Sequence, residues 1–401
     1  MRVLCLSMPS DDLGLPSRLL PVAAELRERG DEVAFANPAP APSRLISGAG
    51  FANLEVEPMT VRPVFPPGQT PYVRDLDHLL ALTGYMDRDY THASVDRWVR
   101  VISRWRPDVV LDSMGVSCCA AARILGVPLV EILQGDFHPD GPGFTWWMTT
   151  TAAPSPVEAF NAVLEHGGVS PVDRAARLLL GGATLVTGSD STDPVPDPDL
   201  IHVGALAWGE RNAVLPAAVP APGGRPLVYV YGGKARYAPG VKTWADSAVV
   251  VDATLQALAG MDLDVVLGAG YQQLPASLPS NVVALEYVPG QALANRADVL
   301  VHHGGHGSTL TGLAAGRPSL ILPSYSERES NARRVAQRGA GLWLAPERID
   351  GDQRLDPQLV ADATRKLLEE RSYLDAALAA SRELAALPGA GAVADVVGGV
   401  L

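Results

Sequence analysis

Short apolar runs alternate along most of the chain with longer segments that have helical apolar spacing. An apolar run at residues 2–8 is followed by a segment at 16–29 with apolar residues on one helical face, and then by a second run at 31–36. The two runs predict strands and the segment between them predicts a helix. A strand, a helix and a strand in so short a span predict a parallel βαβ unit with a right-handed crossover.

Segments of the same two kinds follow along the rest of the chain. In the first half we expect helices at 41–49, 75–105, 117–125 and 156–180, and strands at 53–58, 106–112, 129–133 and 183–187. Residues 194–226 are rich in proline and interrupt this series, which predicts an interdomain linker. In the second half we expect strands at 227–231, 263–268, 281–287, 299–301 and 319–322, and helices at 246–259, 291–295, 356–371 and 372–387, with another helix beginning at Asn331.

Two α/β halves of similar length are therefore predicted, each a doubly wound parallel sheet. The expected boundaries are an N-terminal domain at 1–208, a linker at 209–226 and a C-terminal domain at 227–375. A final helix at about 376–401 is expected to pack back on the N-terminal domain. Sheets of this kind bind ligands at the carboxyl ends of their strands, so we expect a site in the cleft between the halves.

Charge and composition exclude several classes of partner. The 401 residues carry a formal net charge of −12 without a block of lysine or arginine, which argues against nucleic acid and anionic membranes. We find no secretory signal and no apolar run near the ~18 residues of a membrane span, so we expect a cytoplasmic protein. Cys5 and the adjacent Cys118 and Cys119 cannot all pair, and we expect reduced, buried thiols without metal-ligand spacing.

The stretch at 297–344 carries the strongest chemical signal. A buried-strand run ends in His302 and His303, continues into a glycine-rich turn and enters a helix at Ser308 and Thr309. The free N–H groups and the dipole of a helix N-terminus favour a phosphate, and a histidine at the turn supplies a further hydrogen bond. The spacing therefore predicts a phosphate or nucleoside-diphosphate pocket at the carboxyl end of a parallel sheet.

Four segments of the chain resemble one enzyme family. They are RLLPVAAELRERGDEVAFA, RPDVVLDSM, YVPGQALANRADVLVHHGGHGSTLTGLAAGRPSLILP and NARRVAQRGAGLWL, of which the third is the longest and most specific. Over essentially its whole length the chain resembles the inverting family 1 glycosyltransferases of the GT-B fold. It is most similar to the actinobacterial enzymes that attach sugars, often deoxy sugars, to antibiotic aglycones. The resemblance implies two Rossmann-like domains that face each other across a cleft.

The resemblance also implies donor-binding roles in the C-terminal half. Tyr287 matches the aromatic residue that stacks on the donor base, and the backbone of Val288 would hydrogen-bond that base. His303 matches the histidine that contacts the diphosphate. The turn and helix start that cradle the diphosphate match Gly305, Gly307, Ser308 and Thr309. The roles of His302 and His306 stay open between ligand contact and structure.

Two departures from the family pattern fall in the same half. The sugar-binding loop of the family usually carries Asp-Gln where this chain has Glu327 and Arg328. Glu327 still accepts hydrogen bonds from sugar hydroxyls, whereas Arg328 only donates, which indicates an unusual donor sugar or orientation. Lys234 follows the first C-terminal strand where Ser or Thr is usual, and it is either a diphosphate contact or a solvated turn residue.

A third departure concerns the catalytic base. The family usually has a histidine in the loop after the first strand, which deprotonates the acceptor hydroxyl. Here the matching position is Leu15, and no histidine precedes His78. The loop contains Asp11 and Asp12, and either could act as base if burial raised its pKa or if the acceptor were acidic. The alternative is that both aspartates cap a helix or are solvated.

An aromatic segment follows the strand at 129–133. It forms either self-packing for its own domain or a wall for an apolar acceptor, with Gln134 at the strand end beside it. The aromatic residues are Phe137, Phe144, Trp146 and Trp147. Three further residues at strand ends are secondary candidates for the catalytic machinery, namely Asp112, Asp136 and His138.

One function and two alternatives follow from these features. The expected reaction transfers a sugar from a TDP- or UDP-sugar to a hydrophobic natural-product aglycone, by direct displacement with inversion. It needs no metal and no cofactor besides the nucleotide-sugar co-substrate. One alternative is an auxiliary protein that binds sugar nucleotides but lacks the base, and the other is a nucleotide-sugar epimerase on the same fold. Donor and aglycone are the expected partners, and a homodimer stays open.

Overall fold

Two parallel sheets organise the protein. The computed structural model describes residues 1–10, 13–58, 72–149, 152–206, 208–209, 213–233, 248–270, 274, 276–349 and 352–400. The described residues divide into two compact units, called here the N-terminal unit and the C-terminal unit. In these ranges, every helix is too short or too polar to cross a membrane.

The N-terminal unit is built on a seven-stranded sheet. Its strands are β1 (Arg2–Ser7), β2 (Glu32–Phe35), β3 (Ala52–Asn53), β4 (Val109–Ser113), β5 (Leu129–Leu133), β6 (Ala183–Val186) and β7 (Ile201–His202). All neighbours are parallel, in the order β3-β2-β1-β4-β5-β6-β7. β4 and β5 are buried at every position, which explains why their sequences show apolar runs instead of alternation.

The helices of this unit differ from the sequence prediction at two places, and one strand differs as well. They are α1 (Gly14–Glu28), α2 (Pro40–Gly48), α3 (Leu76–Leu80), α4 (Arg88–Trp105), α5 (Val116–Ile124) and α6 (Val157–His166). The helix predicted at 75–105 is interrupted between α3 and α4 by a π-helical turn, where Gly84 has φ +106°. The helix predicted at 156–180 ends at His166 because two glycines follow, and the strand predicted at 53–58 is reduced to the short β3.

The C-terminal unit is built on a six-stranded sheet. Its strands are β8 (Leu227–Tyr231), β9 (Asp264–Gly268), β10 (Val282–Leu285), β11 (Val299–His302), β12 (Ser319–Ile321) and β13 (Gly341–Trp343). The order is β10-β9-β8-β11-β12-β13 and all pairs are parallel. A separate antiparallel ribbon pairs β14 (Glu347–Ile349) with β15 (Asp352–Arg354).

The helices of the C-terminal unit contain the most consequential correction. They are α7 (Ala248–Leu258), α8 (Gly290–Arg296), α9 (His306–Ala314), α10 (Ser326–Gln337), α11 (Pro357–Glu369) and α12 (Arg371–Ala385). The prediction that α10 begins at Asn331 is wrong, because the helix already begins at Ser326. Glu327 and Glu329 stand in its first turn, where carboxylates interact favourably with the helix dipole. Glu327 and Arg328 are therefore helical and not part of a loop.

The last helix, α13 (Gly389–Gly399), belongs to the N-terminal unit. The chain does not form one helix at about 376–401, since α12 ends at Ala385 and Pro388 precedes α13. Val393 and Val397 of α13 are fully buried in the core that α1 and the N-terminal sheet form. Each such valine stabilises the contact by about 1.5–3 kcal/mol, which exceeds the share of the exposed Arg29–Asp395 ion pair.

Candidate functional site

The carboxyl ends of β8 and β11 meet at the centre of the C-terminal sheet. Tyr231 and His302 are paired in register across these strands, so residues 232–233 and His303 leave the sheet side by side. The strand order reverses between β8 and β11, and open α/β sheets bind ligands at such a point. Residues 302–309 connect β11 to α9 at this position and are called the histidine turn below.

Contacts from three directions fix the shape of the histidine turn. The Gly304 N–H donates a hydrogen bond to His302 Nδ1 at 3.1 Å, and Asn331 Nδ2 donates to the Gly304 carbonyl at 2.9 Å. Gly304 has φ +87°, and a Cβ there would lie 2.8 Å from Ile321 Cγ2 and from the Arg328 carbonyl oxygen. Only glycine fits this position, so the turn passes close to α10.

The imidazole of His303 lies in a slot between two glycines. A Cβ on Gly233 would stand 2.7 Å from His303 Cε1, and a Cβ on Gly305 would stand 2.5 Å from its Nε2. The Tyr231 ring approaches edge-on, with 5.8 Å between ring centroids. His303 is 7% exposed, and the glycines on either side hold its ring in one orientation.

Both histidines of the turn are neutral at physiological pH. Burial lowers the pKa of His302 to about 3. Burial, followed by the positive charge of Arg328, holds the pKa of His303 well below its usual range. Within the described ranges, His302 Nε2 and His303 Nδ1 are buried and have no hydrogen-bond partner. A neutral imidazole of this kind offers a ligand a hydrogen bond but no charge.

The N-terminus of α9 is open toward an anion. Its N-cap is Gly305, which has no side chain to accept from the first N–H groups. Gly307 is exposed, and a Cβ there would have nothing within 4 Å. Thr309 turns inward, since its N–H and its hydroxyl both donate to the Gly305 carbonyl, at 3.0 and 3.1 Å. The N–H groups of a helix start and the helix dipole, beside the exposed Gly307, fit a phosphate.

The first turn of α10 places a carboxylate and a cation beside the histidine turn. Asn331 Nδ2 also donates to Glu327 Oε1 at 2.9 Å, so one amide joins Glu327 to the Gly304 carbonyl. Arg328 Nη1 donates to Ser324 Oγ. Glu327 and Arg328 are each 5% exposed, so both charged groups hold fixed, buried positions.

The residues predicted to bind a base follow β10. Tyr287 is 66% exposed, whereas Val288 is buried. An exposed ring at a strand end is available for stacking on a planar base. Three predicted residues lie outside the described ranges, namely Asp11, Asp12 and Lys234.

Known proteins are similar in sequence to this chain over most of its length. The family model described as Erythromycin biosynthesis protein CIII-like, C-terminal domain, matches residues 252–398. The chain is 27% identical over 414 residues to Tylactone mycaminosyltransferase of Streptomyces fradiae, covering 94% of this chain and 87% of the relative. It is 26% identical over 400 residues to 10-deoxymethynolide desosaminyltransferase of Streptomyces venezuelae, covering 90% and 88%.

A solved structure shares the fold over the whole chain. The crystal structure of glycosyltransferase VinC in complex with DTDP superposes with a TM-score of 0.69 and 24% identity, covering 100% of this chain and 99% of VinC. The chain is a glycosyltransferase of the GT-B fold. Its two parallel sheets are the two Rossmann-like domains of that fold, and the family resemblance drawn from its sequence segments is confirmed.

In the N-terminal unit of the glycosyltransferase, Asp112 is fully buried. It pairs in register with Glu131 across β4 and β5, so both carboxyls lie on one face of the sheet with no exposed surface. The Met114 N–H donates to Glu131 Oε1 at 2.6 Å and the Gly115 N–H donates to Asp112 Oδ2 at 2.5 Å. We call Asp112 and Glu131 the carboxyl pair.

Both members of the carboxyl pair have raised pKa values. Burial raises the pKa of Asp112, and burial followed by the charge of Asp112 raises the pKa of Glu131 well above its usual range. Adjacent buried carboxyls cannot both ionise, which agrees with the direction of both shifts. The pair is therefore a packed interior site without contact to the solvent.

All three cysteines are buried free thiols, as the sequence predicts. Cys119 Sγ donates to Glu131 Oε2 at 3.4 Å. In the described part of the chain, Asp112, Cys119 and Glu131 place ligand atoms within 4.8 Å of one another. Spacing along the chain does not reveal this cluster, because its members come from two strands and a helix.

The other catalytic candidates are also buried. Leu15, at the position where the family carries histidine, is 5% exposed in the first turn of α1. Asp136 and His138 are buried, and burial lowers the pKa of His138. Gln134 is 3% exposed, and Arg18 Nη2 lies 3.5 Å from its Oε1.

The aromatic segment divides into a core pair and a surface pair. Phe137 and Phe144 are 4% and 0% exposed and pack on each other at 4.7 Å between ring centroids. Of the two predicted roles, self-packing agrees with the burial of this pair, since almost no ring surface is exposed. Trp146 and Trp147 are partly exposed and meet edge-on at 5.5 Å, so they keep surface that an apolar acceptor could contact.

Sequence reasoning did not single out three residues of these sites. Glu131 carries a visible signal, because it is the charged residue in an otherwise apolar strand. Arg18 is a buried cation on the apolar side of α1, and its Nη1 donates to Ser113 Oγ at 3.1 Å. The sequence prediction places Asn331 at the start of a helix. In the structure its amide links α10 to the histidine turn.

Proposed function

We propose that this glycosyltransferase transfers a deoxy sugar from a TDP- or UDP-sugar to a hydrophobic natural-product aglycone, with inversion. The histidine turn carries the proposal, because it joins the open N-terminus of α9 to a neutral, buried His303. The mycaminosyl and desosaminyl transferases among its relatives support a deoxy sugar, and tylactone and 10-deoxymethynolide in their names support an apolar acceptor. The DTDP in the VinC structure supports a thymidine nucleotide.

In the proposed donor complex, the diphosphate lies against the first turn of α9. The N–H groups of residues 306–308 and the His303 ring donate to its oxygens, while Tyr287 stacks on the base and the Val288 backbone hydrogen-bonds it. Negative charge grows on the leaving diphosphate as the sugar–phosphate bond breaks. Donors and a dipole that are already in place stabilise this charge without reorganisation.

The donor sugar is proposed to meet Glu327. Asn331 occupies part of the accepting capacity of this carboxylate, and its remaining lone pairs can accept hydrogen bonds from sugar hydroxyls. Because α9 and His303 stabilise the diphosphate charge, the proposed reaction needs no metal and no cofactor besides the nucleotide sugar. We expect transfer to persist in excess chelator.

The base is proposed to be a carboxylate of the N-terminal loop, Asp11 or Asp12. Leu15 has no proton-accepting group, and the carboxyl of Asp112 is fully buried and accepts a hydrogen bond from the Gly115 N–H. The acceptor hydroxyl would lose its proton to the loop carboxylate as it attacks the anomeric carbon. Trp146 and Trp147 are proposed to contact the aglycone.

Leu15, at the position where the family carries its catalytic histidine, supports a second candidate function. A protein with this donor site but without a base would bind sugar nucleotides as an auxiliary protein and would not turn them over. Purified protein incubated with TDP- and UDP-deoxy sugars and polyketide aglycones distinguishes the two, with products followed by mass spectrometry. Donor binding without product across the panel would favour the auxiliary protein.

His303→Ala tests the donor site itself. We expect the affinity for TDP to fall about tenfold to hundredfold, since a buried hydrogen bond to a charged group is worth about 1.5–3 kcal/mol. His166→Ala is the matched control, because His166 is an exposed histidine at the end of α6. Calorimetric titration with TDP measures both variants. Equal TDP affinity in His303→Ala and the parent protein would place the donor site elsewhere.

A further inference from the structure

Arg328 is a rigidly held cation on the first turn of α10. It is 5% exposed, its Nη1 donates to Ser324 Oγ, and its guanidinium carbon lies 5.1 Å from the centre of the Tyr325 ring. Ser324 is itself fully buried. A hydroxyl acceptor and an aromatic face together fix the planar guanidinium, so its charge has a defined position.

The backbone and Cβ of Arg328 lie beside the histidine turn. The Arg328 carbonyl oxygen and Cβ lie 2.8 and 3.2 Å from the place of a Cβ on Gly304. The Arg328 charge also acts on the His303 ring, where it opposes protonation. The cation and the imidazole that is proposed to contact the diphosphate are therefore close enough to interact.

His303 and the dipole of α9 together bring little positive charge to this site. His303 is neutral and supplies a hydrogen bond only, and the dipole of α9 supplies about half an elementary charge. A nucleoside diphosphate brings more negative charge than that to its binding site. A permanent cation that is already desolvated interacts more strongly with such an anion than a solvated one does.

We propose that Arg328 is a diphosphate-binding cation of the donor site and does not read the donor sugar. The proposal rests on the proposed nucleotide-sugar site at the histidine turn. It assigns the two residues that replace Asp-Gln different roles, with Glu327 facing the sugar and Arg328 facing the diphosphate. A second consequence is that His303 stays neutral, so its hydrogen bonding to phosphate persists at mildly acidic pH.

Calorimetric titration of the full-length protein with TDP, TMP and thymidine tests this role. We expect Arg328→Gln to weaken TDP binding about tenfold to hundredfold, as for the loss of a charge-assisted contact, and to leave thymidine binding unchanged. TMP should fall between the two. Arg333→Gln is the matched control, because Arg333 lies on the same helix, stacks on Trp343 and forms an ion pair with Glu329.

Arg328→Lys separates charge from shape. It keeps the positive charge but loses the planar, stacked shape, so it should bind TDP more weakly than the parent protein and more tightly than Arg328→Gln. A loss in Arg328→Lys as large as in Arg328→Gln would overturn the charge role. The same holds if Arg328→Gln binds TDP like the parent protein but changes preference among TDP-sugars, since Arg328 would then read the sugar. If the parent protein bound no nucleoside diphosphate, the proposed function would fail first.

Discussion

Each of the two sheets carries a buried pair of titratable residues, and the two pairs differ in their hydrogen-bond partners. The carboxyl pair lies within β4 and β5, where Asp112 and Glu131 are paired in register, and His302 and His303 lie at the end of β11. Burial is the main cause of the pKa shift in both places, raising the pKa values of the carboxyls and lowering those of the imidazoles. Burial thus disfavours the charged form at both places, although the groups have opposite charge when ionised.

The difference lies in what the neighbouring helix N-terminus meets. The carboxyl of Asp112 accepts from the N–H of Gly115, the N-cap of α5, so an internal carboxylate fills that end. Met114 adopts φ +63° to make this approach, a conformation that costs a non-glycine residue about 1–3 kcal/mol. At α9 the N-cap Gly305 has no side chain, and Gly307 faces open space. The same position in a Rossmann-like unit accepts an internal carboxylate in one unit and has no side-chain cap in the other.

The largest expected effect comes from giving α9 the internal carboxylate that α5 has. Gly307→Asp places a carboxylate in the first turn, where a Cβ meets nothing within 4 Å. It should stabilise the C-terminal unit by about 0.5–1 kcal/mol through the helix dipole. It should also weaken TDP binding by about a hundredfold or more, because like charges at a binding site cost several kcal/mol.

Gly307→Asn is the control for this opposition, since it has nearly the same shape without the charge. Thermal unfolding gives the stability change and titration with TDP gives the affinity. Unchanged TDP binding in Gly307→Asp would mean that the anion does not lie at the N-terminus of α9. If the fold-loss of TDP affinity in Gly307→Asn is less than about a tenth of that in Gly307→Asp, the charge and not the added volume causes the weaker binding.

A smaller effect is expected from opening the carboxyl pair. Glu131→Ala leaves Asp112 and the Met114 N–H buried without their partner, at a cost of about 1–3 kcal/mol for each unsatisfied group. Glu131→Gln keeps a neutral group of the same shape and should cost about 1 kcal/mol or less. Urea unfolding, with hydrogen exchange of β4 and β5, measures both. If the two variants were equally destabilised, a neutral polar side chain at position 131 would not be what stabilises this buried site.

The contrast between these two sites also explains what the sequence could predict. The histidine turn is contiguous in the sequence, so its strand, glycines and helix start can be recognised from one segment. The carboxyl pair depends on the register of β4 against β5, which no local pattern specifies. The slot around His303 likewise needs Gly233 from the end of a different strand. Contacts within one segment were predictable, and contacts between segments were not.

The limits of local pattern also show at α10. Its first residues, Ser326 to Ser330, are polar and charged, which is typical of a loop, and the sequence prediction placed them there. In the structure Ser326, Glu327, Arg328 and Ser330 are all buried. Tertiary contacts therefore decide the helix start and turn Glu327 and Arg328 from loop residues into fixed ones.

Acidification should act on the two units with opposite sign. The folded-state pKa of each histidine is lowered, so its contribution is present above about pH 6.5 and is lost as the pH falls, for His302 toward about 3. The pKa values of the carboxyl pair are raised, so its contribution is present at low pH and is lost as the pH rises through them. Between pH 7.5 and 5.5 the C-terminal unit should lose stability, by up to about 1.4 kcal/mol per pH unit and histidine, while the carboxyl pair gains.

Hydrogen exchange at the two pH values, corrected for the intrinsic exchange rate, resolves the two units separately. His302→Asn removes one titrating group and should flatten the response of β11 and α9 while leaving β4 and β5 unchanged. A response of β11 and α9 that is the same in His302→Asn and the parent protein would show that other groups govern the acid sensitivity of this unit.

The smallest expected effect tests whether the slot around His303 matters for binding. Gly233→Ala adds a Cβ 2.7 Å from the His303 ring at a residue with φ +67°, so the ring must shift. We expect TDP affinity to fall about fivefold to tenfold, since the imidazole moves but stays present. Gly223→Ala is the matched control, because Gly223 also has positive φ, +87°, but a Cβ there has nothing within 4 Å. Both variants should lose about 1 kcal/mol of stability from the backbone conformation alone. Only Gly233→Ala should lose affinity, and an equal loss in both would assign the effect to general destabilisation and leave the orientation of His303 without a role in donor binding.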